Sequence, residues 1–172
     1  MWLLILFAVF AVVVTLISVW LVTQRHSLTP PSESWLRAPV HVVVFDSSLR
    51  PAVANALRFW NLSLGREMFV DRDSPGLGPS VSVNLTTFDG AYTRSSYHAG
   101  NGTAPGAMVC VNSREIIAQP ESLTRALAHE LGHVLGLHDD DDRQSVMYRR
   151  PASGVYALRD RDLRRLRRLL QF

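Results

Sequence analysis

Residues 128–148 read AHELGHVLGLHDDDDRQSVMY. In a helix, His129 and His133 stand four residues apart and project from one face, close enough for two imidazoles to grip a single metal ion. Glu130 lies beside that pair, where a carboxylate can take a proton from a water activated by the metal instead of ligating the metal. Peptide hydrolysis needs both parts. Gly136 supplies a helix stop, so that a further ligand can come round from outside the helix. His-Glu-x-x-His alone also fits an ordinary amphipathic helix whose histidines are surface or core groups, so the flanking residues have to decide.

With its flanks included, the stretch resembles the metzincin metallopeptidases, the matrixins in particular. Their pattern has a glycine three residues after the second zinc-binding histidine and a third ligand three residues further on, which here fall at Gly136 and at position 139. Matrixins also have a methionine turn, with its methionine beneath the zinc, eight residues beyond the third ligand. Counting back eight from Met147, in Ser145-Val146-Met147-Tyr148, lands on Asp139. The matrixin third ligand is a histidine, whereas here position 139 is aspartate and His138 comes one residue early. Either Asp139 is the ligand, as in the similar snapalysin-type metzincins, or the loop slips by one and His138 takes the place. Zinc accepts a carboxylate as third protein ligand in other peptidase sites. Ala56-Leu57-Arg58-Phe59-Trp60 looks like the first helix of a matrixin and Leu158-Arg159-Asp160-Arg161-Asp162-Leu163 like its last, so the resemblance spans about residues 40 to 170.

The resemblance implies an α+β, zincin-like fold: a twisted mixed β-sheet, a first helix on the sheet, an active-site helix and a C-terminal helix. It implies a metalloendopeptidase with one catalytic Zn2+ held by His129, His133 and Asp139 (or His138), Glu130 as general base, and Met147 as an apolar floor. Protein or peptide substrates would pair with an edge strand at residues 107–111, touching Ala107, Met108 and Val109, with Tyr148 nearby and residues 149–157 shaping the specificity pocket. No structural zinc or calcium is expected, because the loop before that strand offers His98 and Asp89 but not the family's fuller ligand set. No propeptide with a zinc-blocking cysteine fits, since Cys110 lies inside the domain. The alternative is a catalytically inactive, membrane-tethered metal-binding module that retains the fold; the displaced third ligand motivates it, and an intact Glu130 argues against it.

Outward from the histidines, the chain carries strand and helix signals in turn. Residues 40–45, VHVVVF, are β-branched and bounded by Pro39 and Asp46-Ser47-Ser48, which predicts a buried strand. Pro51 opens a helix with Val53, Ala56, Leu57, Trp60 and Leu64 at helical spacing and Gly65 as its stop. Residues 68–70 and 81–85 predict short strands around a loop at Gly76, Gly78 and Pro79. A long glycine-rich stretch, 89–106, marks a functional or disordered loop, residues 107–111 predict one more strand, and Pro120 suits the first position of a helix running to Leu135. That order predicts a sheet with helices on its faces.

Residues 2–22, WLLILFAVFAVVVTLISVWLV, form 21 positions without a charge. As a helix they span about 31 Å, the thickness of a bilayer's hydrocarbon core. The run is longer than a signal peptide's, has no basic lead-in and is followed by a poor cleavage site, so residues 1–23 are expected to be a transmembrane anchor, or else an uncleaved signal, with Trp2 and Trp20 at the interfaces. Residues 24–39 read as a proline-containing tether and 40–172 as the catalytic domain. Arg25 and Arg37 after the span slightly favour a cytoplasmic domain by the positive-inside rule, while the family resemblance implies an extracytoplasmic one on a single-pass membrane protein.

The 172 residues leave room for one ordinary domain, expected to be monomeric. All 18 cationic residues are arginines, and against 15 anionic ones they leave a net charge of +3, which implies no particular partner; no nucleic-acid partner is expected. Near the C-terminus Arg159, Arg161, Arg164, Arg165, Arg167 and Arg168 alternate with leucines, which predicts a helix packing leucines on the core; a membrane- or nucleic-acid-binding arm is the rival reading. Cys110 is the single cysteine, so no intrachain disulfide forms. Sequons at Asn61, Asn84 and Asn101 matter only in a secretory pathway.

Overall fold

The computed structural model describes residues 39–74, 78–87, 93–98, 106–114, 122–149 and 156–170. Strand β1 (Val40–Val44) has parallel partners on both sides, and Val40, Val42, Val43 and Val44 are all buried. A strand covered on both faces has no use for polar alternation, which explains the unbroken β-branched run. The strand stops at Val44, and Phe45 is exposed.

Asp46 turns the chain: its Oδ1 accepts the Ser48 amide at 2.9 Å and starts a short 3-10 turn, Ser47–Leu49, that feeds helix α1 (Arg50–Leu64). Pro51 sits in the first turn, where a missing N–H leaves nothing unsatisfied. Gly65 ends α1 at φ 63, its N–H bonding to the Leu62 carbonyl while the Arg66 N–H reaches back to Asn61. The Asn61 side chain then fastens the next strand, accepting the Met68 and Phe69 amides and donating Nδ2 to the Phe69 carbonyl, all at 2.9 Å. Its sequon nitrogen is thus engaged in the fold.

Strands β2 (Phe69–Arg72), β3 (Ser80–Thr86), β4 (Thr93–His98) and β5 (Gly106–Asn112) complete one five-stranded sheet in the order β2-β1-β3-β5-β4. β2, β1, β3 and β5 run parallel, and β4 alone is antiparallel. The mixed sheet agrees with the expected class. The expected edge strand is corrected: residues 107–111 belong to β5, which is hydrogen-bonded to β3 on one side and β4 on the other, so the open edge at this end is β4. β4 itself lies within the stretch read from sequence as loop. Its residues TRSSYH are mostly polar, as an edge strand's are, and carry none of the apolar alternation that betrays a half-buried strand.

Helix α2 (Leu123–Val134) packs on α1 and against β4 and β5, and helix α3 (Asp160–Leu170) closes the domain with Leu166 and Leu170 in the core. The arginine-rich tail is therefore an amphipathic structural helix. Trp60 joins the two larger helices: wholly buried, it donates its indole N–H to the Ala128 carbonyl at 2.8 Å, one residue before His129. Among the described residues no helix is long and apolar enough to cross a membrane, and the anchor expected at residues 2–22 lies outside them, as does all of the tether except Pro39.

Candidate metal centre and active site

α2 buries Leu123, Leu127, Leu131 and Val134 along its core face, while His129 and His133 lie on its partly open flank. Their Nε2 atoms are 3.0 Å apart. Each ring is oriented from behind by a main-chain carbonyl: His129 Nδ1 lies 3.1 Å from the Val146 oxygen and His133 Nδ1 3.0 Å from that of Leu137. A carbonyl only accepts, so both Nδ1 atoms carry a hydrogen and both Nε2 atoms face the same space. The Leu137 carbonyl is in place because the helix stops abruptly: Gly136 takes φ 84, its N–H bonds to the His133 carbonyl at 2.8 Å, and Leu137 N–H returns to Gly132 at 3.0 Å. The sequence reading of Gly136 as the stop holds.

Asp139 completes the group. Its Oδ1 lies 3.3 Å from each histidine Nε2. A tetrahedral zinc with nitrogen and oxygen bonds near 2.0–2.1 Å would separate neighbouring donors by about 3.3 Å. A triangle with edges of 3.0, 3.3 and 3.3 Å therefore fits three corners of that tetrahedron and leaves the fourth corner to a non-protein group.

His138 does not join it, and its neighbours say why. His138 is exposed and turned towards α3, where Arg165 donates to its Nε2 at 2.8 Å. On the other flank, Asp140 is buried, its N–H bonded to the Met147 carbonyl at 2.6 Å and its carboxylate ion-paired with Arg161. With 138 held by α3 and 140 pinned to the methionine turn, the side chain between them has only the imidazole side left.

The charges agree with this geometry. Hydrogen bonds from His129 and His133 hold the Asp139 carboxyl well below the usual carboxylate range. Burial of the His133 imidazole opposes its protonation, but Asp139, the nearby Glu130 and the Leu137 carbonyl outweigh it and raise its pKa. Burial and the Arg165 guanidinium lower that of His138. To a cation the three groups present donors of matched reach.

Met147 is wholly buried under α2, against Gly132. A Cβ at position 132 would meet Met147 Sδ at 2.3 Å and Trp60 at 3.0 Å, so the helix can lie on the methionine turn only where it has no side chain. Gly132→Ala is expected to destabilise the domain by about 1–2 kcal/mol net, overpacking of roughly 1–3 kcal/mol being partly offset by the better helix former. Thermal unfolding measures it, and an unchanged or raised midpoint would contradict this packing. Arg125, one turn before His129, is also buried; it donates to the Arg143 and Ser145 carbonyls at 2.7 and 3.0 Å and lies 5.4 Å from the Tyr156 ring centre, tying α2 to the start of the turn.

Glu130 is 6% exposed, and its Oε1 accepts the Thr93 hydroxyl at 2.7 Å. Of the expected substrate contacts, Ala107 and Val109 are buried in the core and Met108 is partly buried, all three in a strand interior to the sheet. Tyr148 is partly buried and bridges to Asp140 at the rim of the metal group. Residues 150–155, most of the expected specificity segment, and Asp89 lie outside the described residues. Sequence reasoning missed Thr93, Arg125 and Gly132. Only Gly132 carried a signal, being a glycine in a helix interior, which costs about 1 kcal/mol relative to alanine unless packing requires it.

The Matrixin family model matches residues 45–170. No curated protein matches the chain. Among solved structures, metalloproteinase-II from Bacteroides fragilis is similar at a TM-score of 0.50 and 14% identity, the match covering 83% of this chain and 56% of that one. Archaemetzincin from Methanopyrus kandleri aligns at a TM-score of 0.46 and 17% identity over 84% of this chain and 99% of that one. The chain thus spans about half the length of the Bacteroides protein, and at such identity the likeness concerns the fold.

Proposed function

Since the chain belongs to the matrixin family, we propose that it is a zinc-dependent endopeptidase that cleaves peptide bonds of protein substrates, with Glu130 as general base. The observation that carries this reading is the donor triangle of His129, His133 and Asp139, with a buried carboxylate on the adjoining residue. The two imidazoles and Asp139 would hold the ion. Bound zinc supplies Lewis-acid polarisation of the scissile carbonyl and brings the pKa of a water down to about 7.

The chain's own groups do the rest. The outer edge of β4, which no other strand covers among the described residues, offers main-chain N–H and C=O groups to an extended peptide and so fixes the scissile bond beside the donor triangle. Glu130 takes a proton from the attacking water and returns it to the leaving amine. Met147 gives the site an apolar floor from below α2, without any contribution as a ligand.

The full-length protein is expected to contain one zinc per chain and to cleave casein. A chelator should abolish cleavage and added zinc restore it; cleavage that survives complete removal of metal would sink the proposal.

A further inference from the structure

The base is carried by one element and held by another. Glu130 belongs to α2, but the hydrogen bond on its Oε1 comes from Thr93, the first residue of β4. Among the described residues no other hydrogen bond falls on this carboxylate. A glutamate has three rotatable bonds, and one Å of misplacement at a reacting group can cost about a hundredfold in rate. A hydroxyl donating to one carboxylate oxygen removes most of that freedom and leaves Oε2 as the oxygen free to take a proton.

Thr93 also belongs to the edge strand of the sheet, paired on its inner side with Val111 and, among the described residues, with no strand on its outer side. A peptide that adds to this edge orders the same strand that orients the base. We propose that Thr93 is a positioning residue for Glu130, which links docking of an extended peptide on β4 to alignment of the general base. This inference rests on the peptidase reading above.

The test uses full-length Thr93→Val, Thr93→Ser and Glu130→Gln proteins and the Thr93→Val/Glu130→Gln double variant. Valine keeps the β-branched shape that suits a strand and removes only the hydroxyl. Thr93→Val should lower kcat by roughly 10- to 100-fold with KM nearly unchanged, while zinc content stays at the wild-type value and the domain remains folded. Thr93→Ser should recover cleavage to within a few-fold of wild type. Because Thr93 acts through Glu130, adding Thr93→Val to Glu130→Gln should cost nothing further. Wild-type kcat in Thr93→Val, a serine variant as impaired as the valine one, or an undiminished loss in the double variant would each overturn the role. If Thr93→Val does not fold, Thr93→Ala carries the same comparison. A wild-type protein that binds zinc but cleaves nothing rejects the peptidase reading and this inference together, whereas an active protein indifferent to Thr93 rejects the inference alone.

Discussion

Glu130→Gln is expected to lower peptide cleavage by about 10²–10⁴-fold and to leave zinc bound and the fold intact. The substitution is nearly isosteric, and glutamine is as good a helix former as glutamate. The amide oxygen can still accept the Thr93 hydroxyl that now bonds Oε1, so the buried position keeps its partner. Glu130 is no part of the donor triangle, so the ion has no reason to leave. What disappears is a group able to take a proton from water and return it to an amine. Measured together, kcat, zinc content and thermal midpoint separate these effects. Cleavage at the wild-type rate would remove Glu130 from the mechanism.

The second large effect is expected at the third donor. Asp139→Ala should weaken zinc binding by roughly 10²-fold or more, since even groups behind the ligands are worth 10–100-fold. His138→Ala should change it only a few-fold, because that imidazole faces Arg165. Metal titration of the three proteins decides between them, and loss of zinc confined to the His138 variant would reverse the assignment. The same groups set the pH dependence. Asp139 is held well below the usual carboxylate range, so it contributes no titration near neutrality. His133 is raised, so protons compete for its Nε2 from higher pH than for a free imidazole. Zinc affinity should therefore fall as pH drops through the imidazole range, and an affinity flat between pH 7.5 and about 5.5 would contradict imidazole ligation.

The parts of the site legible in the sequence are those within one or two turns of helix. His129 and His133 share a face because 3.6 residues make a turn, Glu130 adjoins them for the same reason, and Gly136 ends the helix because a residue at φ 84 is best served without a Cβ. Pro51 and Gly65 bracketed α1, and the β-branched run at 40–44 identified β1. Each signal is a short-range preference that the fold reinforces. β4 left no signal because its residues TRSSYH carry no apolar alternation, and the direction in which β5 finds its neighbours depends on pairings between segments far apart in the chain.

By itself the sequence determined that two imidazoles and a carboxylate share one helix, that the helix ends three residues past His133, and that an aspartate and a histidine compete for the third ligand position. Tertiary structure brings Asp139 rather than His138 to the two imidazoles, through Arg165 on α3 holding His138 and the Met147 carbonyl holding Asp140. The open edge beside the site and the Thr93 hydroxyl on Glu130 were decided there too. Helical spacing is a property of the backbone at a few residues' range. Which side of an extended loop faces the histidines is set by partners elsewhere in the chain, and no local pattern encodes it.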